Sequence, residues 1–305
     1  MRSPSEAMRI HQEAQFDEPP VLVHAFSGFV DAGNGVRIAI EHMLTRPHDL
    51  LISFDSDEFI DYRARRPRML FSSDHFTSVD VPRISLHRVT DDDGRDFLLL
   101  AGPEPDYQWE RFLAAVELII ERYRVSALVG LSAIPWPIPH TRPLSVIVHG
   151  NEPTLIAGRS AMLGDIEVPG HVGAMLELRG SELEMPSIGI TAQVPHYLVQ
   201  FEYPQGAVAL LEGLQDVVGL QVDASVLASA SERAVQDVAA QVADNEAFAA
   251  VVAALEAQYD SVATSDAPSW TGGDIPSGDQ IAAQVEEFLA GLARGDGQDK
   301  DATET

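Results

Sequence analysis

The chain has 305 residues, no cysteine and a formal net charge of −27. Without cysteine it has no disulfides, no thiolate nucleophile and no cysteine-ligated zinc or iron–sulfur site. Lys300 is the only lysine, which argues against lysine-dependent phosphate-binding loops, pyridoxal enzymes and lysine aldolases. The acidic charge argues against nucleic acid as a partner, because phosphate contacts need Lys and Arg.

The hydropathy of the chain gives no indication of a membrane protein. No run approaches the roughly 18 consecutive apolar residues of a membrane span. The first 15 residues lack the apolar segment of a signal peptide. We therefore expect a cytoplasmic protein without membrane contact.

The stretch from residue 21 to residue 44 predicts a strand, a glycine-rich turn and a helix. Val21–Ser27 is an apolar run typical of a strand buried on both faces of a sheet. The turn contains Gly28, Asp31, Gly33, Asn34 and Gly35. Apolar residues then recur at helical spacing from Val36 to Leu44. In an open α/β sheet, ligands bind outside the carboxyl ends of the strands, which is where this turn falls.

The following 180 residues alternate between strand and helix patterns. Strands are predicted at 50–54, 69–71, 84–89, 97–101, 125–131, 144–148 and 187–194, and helices at 107–123 and from Pro204. The stretch 133–143 contains four prolines and is predicted to be an irregular loop. The alternation predicts an α/β fold with a mostly parallel, mixed sheet flanked by helices and followed by an α-helical C-terminal extension.

Composition divides the chain further. Alanine, valine and acidic residues at helical spacing predict a helical hairpin from residue 223, with a break at Asp244-Asn245. The predicted segments are an N-terminal arm (1–20), an α/β core domain (21–222), the helical hairpin (223–260), a linker (261–278), a C-terminal helix (279–293) and a disordered tail (294–305).

The ends of the predicted strands bring polar residues to one edge of the sheet. The candidates for acid–base or nucleophilic chemistry there are Asp31, Glu104, Ser132 and His196. The candidates for ligand binding are Gly28, Asp31, Gly33, Asn34, His196 and Tyr197. Each also has a structural interpretation: Asp31 as a carboxylate that caps the turn, His196 as a member of a buried turn, and Ser132 as a packing residue.

Two kinds of site are disfavoured and one surface is singled out. A Ser132–His196–Asp31 triad is conceivable, but Ser132 lacks the GxSxG elbow. The histidines show no helical pair with metal-ligand spacing, so we expect no metal and no cofactor. The basic cluster Asp61–Arg68 is either a solvated loop or a contact for an anion or a partner.

Two segments resemble the proteasome assembly chaperone 2 family. They are the turn Gly28-Phe29-Val30-Asp31-Ala32-Gly33 and the strand end Gln193-Val194-Pro195-His196-Tyr197-Leu198. The likeness covers roughly residues 20 to 220, and the long, lysine-poor, acidic chain is similar to the actinobacterial branch of that family. The resemblance implies a phosphorylase/hydrolase-like α/β fold that self-associates, with a trimer as one form, and proteasome subunits or another protein as partner.

The resemblance also implies a chaperone-like role rather than catalysis. The eukaryotic namesakes dock through a hydrophobic-Tyr-X tail, which the C-terminal residues 302–305 do not provide. Bacterial members have been labelled ATP-grasp carboxylate–amine ligases, a role for which this sequence lacks core lysines. The alternative that remains open is a small-molecule-binding protein or hydrolase-like enzyme with a pocket at the carboxyl edge of the sheet.

Overall fold

The computed structural model describes residues 3–157 and 165–263. The strands of this part are β1 (Met8–Ile10), β2 (Val21–Ser27), β3 (His48–Phe54), β4 (Arg68–Ser72), β5 (His75–Asp80), β6 (Ser85–Thr90), β7 (Asp96–Pro103), β8 (Ala127–Trp136), β9 (Val146–Gly150) and β10 (Ser187–Pro195). Its α-helices are α1 (Gly35–Met43), α2 (Ser56–Phe59), α3 (Trp109–Tyr123), α4 (Pro153–Ile156), α5 (Val172–Glu182), α6 (Pro204–Val218), α7 (Ser225–Ala243) and α8 (Glu246–Ala263).

Eight of these strands form one mixed sheet in the order β1-β3-β6-β7-β2-β8-β10-β9. The four central strands, β7, β2, β8 and β10, are parallel, and each of the outer strands pairs antiparallel with its neighbours. The predicted α/β fold with a mostly parallel, mixed sheet is therefore confirmed. Strands β4 and β5 pair only with each other and form a separate hairpin.

Alternate residues of the central strands pack into two cores. Val21, Val23 and Ala25 of β2 face the core that contains α1 and α6. Leu22 and Phe26 face the core that contains α3 and α5. His24 has the same parity as these last two residues and is buried, so the strand places an imidazole under α3 and α5.

The prediction of an irregular loop from residue 133 was wrong in its first part, because β8 continues through Pro135 to Trp136. The pairing explains why a proline is tolerated here. Beyond Leu131, β8 is no longer paired along β2, and its ladder continues only with β10. The Ala133 N–H points to the β2 side, where it reaches the Val30 carbonyl oxygen. The backbone nitrogen of Pro135, which carries no hydrogen, faces that same open side. The proline therefore costs the sheet no hydrogen bond.

Part of the predicted N-terminal arm belongs to the core. Pro4–Ala7 forms a 3₁₀ turn, and β1 pairs antiparallel with β3, which covers the edge of the sheet. The buried guanidinium of Arg111 on α3 reaches the Ser3 carbonyl oxygen at 3.2 Å and ties this segment down.

The C-terminal helices α7 and α8 follow the prediction, with the break at Asp244-Asn245. Helix α8 packs against the proline-rich loop. Arg142 pairs with Asp260 at 2.7 Å, and the rings of Tyr197 and Phe248 lie edge to face at 5.2 Å. Helix α8 continues to Ala263, three residues into the predicted linker (261–278). The rest of that linker, the predicted C-terminal helix and the tail lie outside the described residues. Within 3–157 and 165–263, no helix is both long and apolar enough to cross a membrane.

Candidate functional site

The four parallel strands end at one edge of the sheet, as predicted from the sequence. The Glu104 N–H donates to the Ser27 carbonyl oxygen at 2.9 Å, which fixes Glu104 beside the glycine turn. A Cβ atom placed on Gly28 would lie 3.6 Å from Glu104 Cβ. Gly28 and Glu104 therefore meet at the carboxyl edge.

Asp31 acts as a cap for helix α1. Its Oδ1 accepts hydrogen bonds from the backbone N–H of Val36 at 2.7 Å and of Arg37 at 3.3 Å. These are two of the N–H groups that a helix leaves unpaired in its first turn. Burial nevertheless raises the pKa of Asp31 to about 6, since the surroundings penalise the charged carboxylate more than the two hydrogen bonds favour it.

Gly33 and Asn34 hold the turn against the segment after β10. Gly33 has a left-handed φ of 64°, and a Cβ there would lie 3.0 Å from Tyr203 Cβ and 3.2 Å from Val194 Cγ1. Its N–H donates to the Val199 carbonyl oxygen, and its own carbonyl oxygen accepts from the Tyr203 N–H. Asn34 is also left-handed and precedes α1 directly. Both residues are accounted for by packing and turn geometry.

His196 and Tyr197 anchor the proline-rich loop. The Tyr197 hydroxyl oxygen accepts from the His140 N–H at 2.7 Å and lies 2.8 Å from His140 Nδ1. Burial raises the pKa of Tyr197 and lowers that of His196. The His196 ring packs at 5.3 Å from Tyr197, and its Nδ1 is buried without a hydrogen-bond partner among the described residues.

The Ser132–His196–Asp31 triad is not assembled. Ser132 Oγ is paired with Thr191 Oγ1 at 2.7 Å, in the face of the sheet that packs under α5. Asp31 binds the first turn of α1, which packs on the opposite face. Successive side chains of a strand point to opposite faces of the sheet. The Ser132 hydroxyl and the Asp31 carboxylate therefore lie on opposite faces, although the sequence predicted both at the same edge.

Ser132 and Glu104 instead share a small polar cavity under α5. Its free volume is about 10 Å³, room for one water molecule. His24, His171 and Glu177 complete its polar lining. None of these three residues was predicted from the sequence to belong to a site. The sequence holds one signal for them, a histidine, His24, within an otherwise apolar strand. In the described part of the chain, no group of three His, Asp or Glu side chains is placed to hold a metal ion.

A second feature is the apolar hairpin, which we define as β4 and β5, residues 68–80. Every residue of both strands is exposed. Phe71 and Phe76 are 55% and 62% exposed, and their rings contact each other edge to face with centroids 5.1 Å apart. Met69, Leu70 and Val79 are exposed beside them. The sequence predicted β4 in part and missed β5.

The mixed eight-stranded sheet, the glycine turn that caps α1 and the two added C-terminal helices define a class of α/β protein that fits the resemblance noted in the sequence. The chain belongs to the PAC2 family, whose family model matches residues 25–242. That match includes the glycine turn, all strands from β3 to β10 and most of α7. No curated protein matches the chain.

Solved structures similar to this chain include three from actinobacteria. The Mycobacterium tuberculosis protein of unknown function Rv2714 is 42% identical, with a TM-score of 0.81 over 84% of this chain and 91% of that one. A Corynebacterium glutamicum protein of unknown function is 33% identical, with a TM-score of 0.79 over 84% and 97% of the two chains. The M. tuberculosis proteasome-assembly chaperone homologue Rv2125 is 24% identical and has the same fold, with a TM-score of 0.69 over 76% and 99%.

Proposed function

We propose that this protein is a self-associating, chaperone-like interaction protein of the cytoplasm, linked to proteasome assembly and without catalytic activity of its own. Membership of the PAC2 family supports the class, and the proteasome-assembly chaperone homologue Rv2125 supports the link. The observation that carries the proposal is the apolar hairpin, whose exposed side chains have no core to pack against in the described residues.

A hairpin of this kind needs a partner surface. Isolated two-stranded hairpins are at best marginally stable in water, because they bury little apolar area. Five large apolar side chains of this hairpin are more than half exposed. Covering them would bury apolar surface at about 25 cal/mol per Å². Contiguous exposed apolar patches on globular proteins mark interaction sites.

The charge around the hairpin favours a second copy of this chain as the occupant. Arg63, Arg66 and Arg68 are exposed at the base of the hairpin, within the basic cluster found in the sequence. The rest of the chain is strongly acidic, as the net charge of −27 shows. A basic, apolar arm is thus complementary to the surface of another copy. A ring in which each copy passes its hairpin to the next fits the trimer that the resemblance implies.

We expect the Phe71→Ser/Phe76→Ser variant to sediment as a monomer at concentrations where the wild type sediments as an oligomer. The two substitutions remove the largest apolar groups from the hairpin and touch no buried residue. The matched control is Val226→Ser/Val251→Ser, which removes two exposed apolar side chains from α7 and α8. Sedimentation velocity of all three proteins at several concentrations checks this. A wild-type monomer, or an oligomer that survives the hairpin substitutions, contradicts the proposal.

A further inference from the structure

Four in-register residues form a row across the sheet under α5. His24 of β2 is opposite Gly130 of β8, Gly130 is opposite Gly189 of β10, and Gly189 is opposite His149 of β9. The row thus has an imidazole at each end and two residues without side chains between them. Residues opposite one another on neighbouring strands share a face, so the glycines leave an open trough between the two histidines.

The carboxylate of Glu177, on α5, fills this trough. A Cβ atom on Gly130 would lie 2.8 Å from Glu177 Oε1, and one on Gly189 would lie 2.9 Å from the same oxygen. The carboxylate can approach the sheet this closely only because both positions are glycine. Glu177 Oε2 is held at 2.9 Å by His149 Nε2, so the carboxylate is oriented with Oε1 over the two glycines.

His24 faces the same place with an unused nitrogen. Its side chain is 1% exposed, and Nε2 is buried without a hydrogen-bond partner among the described residues. Buried side-chain nitrogens are normally hydrogen-bonded, so an orphaned one needs an explanation. The Nε2 atom lies 3.1 Å from the Cβ position above Gly130, in the wall of the cavity. Burial lowers the pKa of His24 to about 4, which keeps the ring neutral at pH 7.

The lining of the cavity is rich in hydrogen-bond acceptors. Glu104 and Glu177 both line it, and no Lys or Arg side chain does. Glu104 Oε1 accepts from the Val172 N–H at 2.8 Å, and His171 Nδ1 accepts from the Ala174 N–H at 3.3 Å. An anion such as phosphate is excluded by the two carboxylates. A bare metal ion is disfavoured, because no group of three His, Asp or Glu side chains among the described residues is placed to hold one.

We propose that this cavity binds an ammonium ion or the head of a primary amine. The group is cationic, carries three or four N–H donors and is about the size of the single water that the free volume admits. The carboxylates of Glu177 and Glu104 balance its charge, and His24 Nε2 accepts one of its hydrogen bonds. This acceptor role requires His24 to carry its proton on Nδ1. The two sources, free ammonium and an amine-bearing molecule, share this chemistry.

The test is a cation titration of the full-length protein with ¹⁵N-labelled histidine side chains. The Nε2 resonance of His24 is assigned by its loss in His24→Leu and followed by NMR at fixed ionic strength in ammonium chloride and in tetramethylammonium chloride. We expect a saturable shift with ammonium and none with tetramethylammonium, which has no N–H and is too large. Glu177→Gln should weaken ammonium binding at least tenfold. The matched control Glu202→Gln, a surface carboxylate bound to Arg37, should leave it unchanged.

The outcomes separate the proposal from its alternatives. Equal shifts with both cations, a shift that does not saturate, or an unchanged affinity in Glu177→Gln overturns it. If Glu177→Gln fails to fold, the comparison of the two cations on the wild type decides alone. A third arm with propylammonium distinguishes the sources. Tighter binding than ammonium assigns the site to an amine-bearing molecule, and exclusion assigns it to the free ion.

Discussion

We expect the Gly102→Ala variant to lose about 4 kcal/mol of unfolding free energy. Backbone strain and steric overlap of the added methyl group each contribute about 2 kcal/mol. Gly102 has a φ of +146°, a conformation that L residues with a side chain rarely adopt. Its added Cβ would clash with the Arg83 carbonyl oxygen and lie 2.8 Å from Ile84 Cα. Both contacts are with the backbone of the neighbouring segment, which cannot rotate away as a side chain does.

Chemical denaturation of the full chain measures this loss, and Gly94→Ala is the matched control. Gly94 also has a positive φ, +85°, but nothing lies within 4 Å of its Cβ position. Only the cost of a left-handed backbone for alanine remains there, about 1 kcal/mol. Equal losses in the two variants would show that β7 shifts to accommodate the methyl group. The close contact between Gly102 and the backbone of Arg83 and Ile84 would then not be what fixes the path of the chain into Glu104.

We expect the wild type to lose about 2 kcal/mol of stability relative to Asp31→Asn as the pH rises from 4.5 to 7. In the folded state the pKa of Asp31 is raised from 3.8 to about 6, mainly by burial. The folded state therefore binds the proton more tightly than the unfolded chain does. Protonation stabilises the fold, and that contribution disappears as the pH passes through about 6. Asparagine cannot ionise, and its Oδ1 can still accept the Val36 and Arg37 N–H groups.

Denaturation curves at several pH values, taken as differences between the two proteins, isolate this effect because other titrating groups cancel. Asp31→Ala is the control that separates charge from capping. It should show the same pH-dependent difference from the wild type and be about 1 kcal/mol less stable than Asp31→Asn throughout. A difference that does not change with pH would mean that the two backbone hydrogen bonds hold the carboxylate in its charged form.

The parts of the fold that the sequence predicted are those with local signals. The apolar run of β2, the glycine turn and the spacing of α1 lie within 25 consecutive residues, and each element follows from its own pattern. Strands β6 and β7, predicted at 84–89 and 97–101, were found from their own patterns for the same reason. The path of β8 through Pro135 was not, because it depends on where the neighbouring strand β2 ends.

The sequence predicted which residues lie near the carboxyl edge of the sheet better than it predicted which of them contact one another. Glu104 and Ser132 do lie at the carboxyl edge, but Asp31 faces the other side of the sheet. His24 and Glu177 escaped notice because their proximity depends on Gly130 and Gly189 being in register, and these residues are separated by more than 50 positions along the chain. The exposure of the apolar hairpin was likewise not predictable. The apolar residues of its sequence would look the same in a strand that packs on a core.

The central claim, a chaperone-like role of an oligomer that assembles through the apolar hairpin, is tested most directly by affinity capture of the tagged full chain from its own cells, read by mass spectrometry. We predict proteasome subunits in amounts comparable to the bait for the wild type and for the Val226→Ser/Val251→Ser control. We predict their loss for Phe71→Ser/Phe76→Ser. Recovery of the wild type with no proteasome subunit, or equal recovery of these subunits by the hairpin variant, would contradict the account.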